Sequence, residues 1–183
     1  NRQELRRILG EWPQISSEEF YLWLDEFCRL NTYEISIPVL KDPAAAPAGS
    51  TGLIVSLLFE YDVVKKVAES DMYRQFKEEL EVRIVDVLSD SIFPMLKEKL
   101  RFRFSYTPLS IEKRVGSSEG AITGWSFEEP VPVVNRIVKG AGSVKTPIPN
   151  VLQAGQWAYS PAGVPMSILT GKLAADRVIK TGS

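Results

Sequence analysis

The sequence predicts an α+β fold for most of its 183 residues, on three observations. Helical and strand-like patterns follow one another without strict βαβ alternation. The longest pattern, Asp71 to Lys99, carries apolar residues at the i, i+3/i+4 spacing of a helix with one core-facing side. The tail, Lys145 to Lys180, reads instead as a short buried strand (Val151 to Ala154), a glycine turn, a small-residue loop and a helix. A strand that stops at glycine and feeds a helix N-terminus is the arrangement that closes a nucleotide-binding domain. No GxGxxG follows any strand of the chain, so the opening piece of such a domain is missing from it.

The elements follow in order. Ser16 caps a helix that ends near Asn31; Glu19, three residues on, completes a capping box, and Ile15 and Phe20 are spaced as a hydrophobic staple. Phe20, Leu24 and Phe27 share a face, with Trp23 at its flank. Tyr33 to Ile37 alternates as a strand does, and Pro38 ends it or puts it at an edge. Lys41 to Gly52 is a surface loop, and Leu53 to Phe59 a buried strand by its apolar run. In the long helix Tyr73, Phe76, Leu80, Ile84, Val87 or Leu88, and Ile92 form the buried stripe, and Pro94 kinks or restarts it. Leu100, Phe102, Phe104 and Tyr106 alternate with Arg101, Arg103 and Ser105, the pattern of a half-buried strand. Thr107 followed by Pro108 starts a short helix to about Arg114. Gly116 to Gly124 is a loop, and Lys139 to Thr146 a linker, which divides the chain into residues 1–139 and 140–183.

Composition excludes several chemistries. The formal charge is −1 and there is no histidine, so Ser-His-Asp and Cys-His catalysis and the common zinc sites are absent. No DxDxDG loop is present, and Cys28 has no cysteine to pair with. The near-balance of charge gives no reason to expect nucleic acid as a partner. No apolar run is long enough to span a membrane. The chain starts at Asn rather than Met, inside a helical-looking segment, and is expected to be an excised piece.

Chemistry is best placed in the tail. Gly155 stands at the carboxyl end of the expected strand, where ligands bind in open α/β sheets. Pro165 suits a helix first turn, and Gly163, Ser167 and Gly171 form a small-residue ridge that admits a strand or a flat ring. A tightly packed helix with no ligand explains the same pattern equally well. Arg101 and Arg103 read as a solvated face, and Trp125 and Phe127 as pocket or core. Ser160 and Ser167 have no base to activate them.

Four stretches together resemble the C-terminal portion of the phytoene dehydrogenase and carotenoid isomerase branch of flavin-dependent oxidoreductases, relatives of the amine oxidases. They are Ile37-Pro38 with Lys41 to Gly49, Thr107 to Glu112, Gly120 to Trp125, and the tail. The resemblance implies a mixed-sheet substrate domain with packed helices up to about residue 139. It implies that residues 140–183 supply the last strand and helix of a Rossmann-like FAD-binding domain. Gly155, Gln156, Ala162, Gly163 and Val164 would lie along FAD; Gln156 stands where the family usually has an acid. The implied substrate is an apolar polyene or isoprenoid, and the implied partner is the N-terminal FAD-binding half. Cytoplasmic placement, peripheral membrane contact and self-association through an uncovered sheet edge are compatible with the resemblance. The chain alone is expected to be inactive or nearly so, and no catalytic residue is assigned. An amine-oxidase-like enzyme with Trp157 and Tyr159 as aromatic walls, and a non-enzymatic α+β interaction module, are the alternatives.

Overall fold

The computed structural model describes residues 7–8, 16–125 and 130–181. Among these the architecture is α+β: six α-helices, several 3₁₀ turns and one two-stranded antiparallel sheet. The chain forms two compact units, Asn1–Gly120 and Ala121–Ser183, dividing upstream of the linker that composition marks out.

In the first unit, α1 is Ser17–Leu30, capped by Ser16, whose side chain accepts from the Glu19 amide. Glu19 does not return the bond to complete a capping box; its carboxylate takes Arg7 at 2.5 Å instead, an ion pair that competes for the same oxygens. Ile15, the other half of the expected staple, lies outside the described residues. Strand β1, Glu34–Ser36, pairs antiparallel with β2, Ile54–Ser56, Ile35 opposite Val55. The apolar run around β2 is not buried as expected: Ile54 and Leu58 are exposed. A two-stranded ribbon has nothing to hide both faces of such a run against.

Helix α2, Tyr61–Glu69, was not expected; Val63, Val64 and Val67 fall on one side and are fully buried. The long pattern becomes α3, Tyr73–Ser91, and a single turn, α4, Leu96–Lys99, split at Ile92–Met95 because Pro94 cannot continue the ladder. Phe76, Leu80 and Leu88 are buried, but Ile92, beyond the end of α3, is exposed. The core gathers Phe20, Trp23, Leu24 and Cys28 of α1, the α2 valines, and Phe76 and Leu80 of α3. Trp23 belongs to it rather than to its flank. Phe59 is wedged among the rings of Phe27 and Phe76, at 4.8 and 5.6 Å between centroids. Arg83 of α3 joins Asp25 of α1 at 2.6 Å and lies over the Tyr21 ring.

Residues 100–106 are extended but pair with no strand among the described residues. Phe102, Phe104 and Tyr106 are 77%, 68% and 57% exposed, so the expected half-buried strand lacks both a neighbour and a core. Helix α5, Pro108–Val115, has the expected Thr107 cap, here a reciprocal box with Ser110, and ends at Gly116 in the left-handed region.

Candidate functional site

The second unit holds every tail residue singled out from the sequence. Among its described residues the only long element is α6, Val164–Thr181. The expected buried strand at Val151–Ala154 does not form. Leu152 makes a single antiparallel bridge to Lys145, and Val151 is exposed. Pro147 and Pro149, which lack backbone donors, precede it and shorten any ladder.

Gly155 follows with φ +96°, and a Cβ built there would meet nothing within 4 Å. The position demands glycine for its backbone and leaves open space in front of it. Its turn is fixed from behind. The Gly155 amide donates to Thr170 Oγ1 at 3.0 Å, and the Ala158 amide donates to the Gly155 carbonyl. Thr170 is the one buried residue of α6, and its hydroxyl also reaches the Met166 carbonyl, so it ties helix to turn. Sequence reasoning missed Thr170; the available signal was a small polar side chain one place from the Gly163-Ser167-Gly171 ridge.

Gln156 is half-buried, and its side-chain amide has no hydrogen-bond partner among the described residues. Its backbone is approached by the loop Ala121 to Trp125. At Gly124, φ +82°, a Cβ would stand 2.7 Å from the Gln156 carbonyl oxygen and 3.0 Å from Ala162 Cβ. Any side chain there would push the loop off. Trp125 completes the clasp, its indole donating to the Trp157 carbonyl at 2.8 Å with the two rings edge to face at 5.3 Å. Phe127 lies outside the described residues.

The Ser160–Pro161 peptide is cis, and the Ser160 amide donates to Val134, whose backbone bridges the buried Tyr159 in parallel. Tyr159 is therefore packed rather than presented as a wall. Gly163, φ +137°, leads into Val164 at the start of α6, and its carbonyl receives both the Ser167 amide and the Ser167 hydroxyl. Gly171 also faces open space, so the small-residue ridge carries no close neighbour at that point. Gly155, Gln156, Ala162, Gly163 and Val164 thus belong to one turn, one loop and one helix start of the same compact unit.

Two stretches of the resemblance meet at Pro108 and Gly120, inside the first unit, while Ala121 to Trp125 belong to the second. Gly120, φ +65°, lies so close over Pro108 that a Cβ would fall 2.1 Å from its carbonyl oxygen. Arg103 is held by Glu81 at 3.4 Å, as a solvated face would be. No group of three His, Cys, Asp or Glu that could hold a metal occurs among the described residues, and no described helix is long and apolar enough to cross a membrane.

What the arrangement offers is backbone and shape. It presents glycines without side chains, an amide with unused hydrogen-bonding capacity, and the first turn of a helix with its free N–H groups. It contains neither a nucleophile with a base nor a paired acid and base. No family model matches the chain, and no curated protein and no solved structure matches it either.

Proposed function

We propose that the chain is the C-terminal part of an FAD-dependent oxidoreductase of the phytoene dehydrogenase type, acting on an apolar polyene or isoprenoid. In this reading residues up to about 139 belong to a mixed-sheet substrate domain. The tail closes a Rossmann-like FAD domain whose N-terminal half is the partner that carries the dinucleotide fingerprint. The observation that carries it is the open space before Gly155 on a turn pinned to α6.

A flat or slender group fits such a cradle because nothing projects into it. Gln156 would hydrogen-bond a hydroxyl of the ribityl chain. Ala162 and Gly163 would let the cofactor approach the backbone, and Val164 would turn the positive end of α6 toward it. FAD, when bound, supplies the hydride chemistry. The chain's own residues bind and orient. That division of labour suits a protein without histidine.

The full-length polypeptide containing this chain should purify with flavin absorbance. Gly155→Val, which fills the open space, should lower flavin occupancy at least tenfold, and Gln156→Leu should lower it less while leaving the circular dichroism spectrum intact. A full-length protein that refolds without flavin affinity, or two variants that both retain full occupancy, would overturn the assignment.

A further inference from the structure

Of the five residues placed along the cofactor, only Gln156 has a side chain that can hydrogen-bond, and its amide has no described partner. The direction of that amide is therefore set by the backbone beneath it, and that backbone is held at three successive places. The Gly155 amide donates to Thr170 Oγ1 at 3.0 Å. The Gln156 carbonyl is covered by Gly124, where a Cβ would stand 2.7 Å from its oxygen. The Trp157 carbonyl accepts the Trp125 indole N–H at 2.8 Å.

The first hold belongs to α6 and the other two to the loop Ala121 to Trp125. No described backbone amide donates to the Trp157 carbonyl, so the indole is the only described donor it has. The indole is itself fixed, because its ring meets the Trp157 ring edge to face at 5.3 Å. Packing alone would be served by any aromatic ring. The donor adds a constraint on direction that a phenyl ring cannot supply.

We propose that Trp125 is a positioning residue for the cofactor. With Gly124 seated on the Gln156 carbonyl, the indole bond fixes the turn so that the Gln156 amide meets a ribityl hydroxyl already oriented. Binding then loses less freedom in ordering that side chain. Trp125 acts through Gln156 and not by a contact of its own. This role rests on the flavin reading of the Gly155 turn.

A double-mutant cycle in the full-length polypeptide containing this chain tests it, with the dissociation constant of added FAD as the readout. Trp125→Phe removes the donor and keeps a ring against Trp157. It should raise the constant about fivefold, and Gln156→Leu should do the same. Because one residue acts through the other, the double variant should also stand at about fivefold, whereas independent roles would give about 25-fold. The visible circular dichroism of the bound flavin should change in both single variants while the far-ultraviolet spectrum stays that of the wild type. A merely structural Trp125 would lower the melting temperature and leave the constant of the folded protein unmoved. If Trp125→Phe loses the wild-type far-ultraviolet spectrum, Gly124→Ala, which displaces the same loop, takes its place in the cycle with the same expected values. An unchanged constant in the loop variant, or independent effects in the double variant, overturns the positioning role while the flavin reading stands. Wild-type protein without flavin affinity overturns both.

Discussion

Cys28 shows how burial alone silences a reactive group. Desolvation in the core pushes its thiol up to about 11, with smaller opposing contributions from the Tyr33 hydroxyl and the Arg83 charge. The same desolvation raises the Tyr33 hydroxyl, which donates to the Cys28 carbonyl at 2.7 Å. Alkylation near neutral pH should therefore follow global unfolding, and a fast native-state reaction would contradict the packing. The linkage has a definite sign. The folded thiol ionises at higher pH than the unfolded one, whose ordinary value is 9.0, so its contribution is complete below about 9 and is lost as pH rises to about 11. Thr170 is the complementary case of a buried polar atom that is satisfied. Thr170→Val should cost about 1–3 kcal/mol by denaturant titration, because it strands the Gly155 amide, while Thr170→Ser should retain most of that. The two glycine positions separate strain from collision. Gly155→Ala meets only an unfavourable φ, at about 1–2 kcal/mol, whereas Gly120→Ala also collides with Pro108 and should cost distinctly more.

At the scale of elements, the helices whose signals are local were legible in the sequence. Ser16 caps α1, Thr107-Pro108 opens α5, and Pro94 ends the long pattern after α3, each through chemistry within a few residues. The expected strand Tyr33 to Ile37 forms as Glu34–Ser36, but the other strands were overdrawn, because an alternating or apolar run specifies a strand only when a neighbour supplies hydrogen bonds. Residues 53–59, 100–106 and 151–154 have the pattern, but the first pairs only over Ile54–Ser56, the last makes a single bridge at Leu152, and 100–106 pair with no described strand. Helix α2 was overlooked because its valines, at spacings of one and three, are poor helix formers whose cost is offset by full burial. The tail glycines were legible as turn residues. The pinning by Thr170 and the approach of Gly124 to Gln156 depend on segments 15 and 32 residues away and leave no local mark. The packing of α3 against α1 gives the element-scale test. Phe76→Ala should lower unfolding free energy by about 3–5 kcal/mol, since Phe76 is fully buried against Phe20 and Phe59; an effect below about 1 kcal/mol would mean the helix does not seat there.

For the molecule as a whole, burial is uneven, and hydrogen exchange should map it. The slowest amides should lie in α1, α2 and α3 around Leu24, Val64 and Phe76. Those of Phe102 to Ser105 should exchange fastest, because they donate to no described residue. Protection of that segment in the isolated chain would show a strand partner. The two units also differ in sign of charge, and low salt should accentuate every consequence of that difference. One feature of the second unit reaches further than its size. Thr170 is the one buried residue of helix α6, and its hydroxyl holds the Gly155 turn. A helix advances about 100° per residue, so Thr170 acts as an index mark that sets the rotational phase of all 18 residues. A slip of one position would bring Leu169 or Gly171 to the Gly155 turn and swing Val164 and Ile168 to another bearing. One hydrogen-bonding side chain thereby decides which stripe of the helix any neighbour would meet.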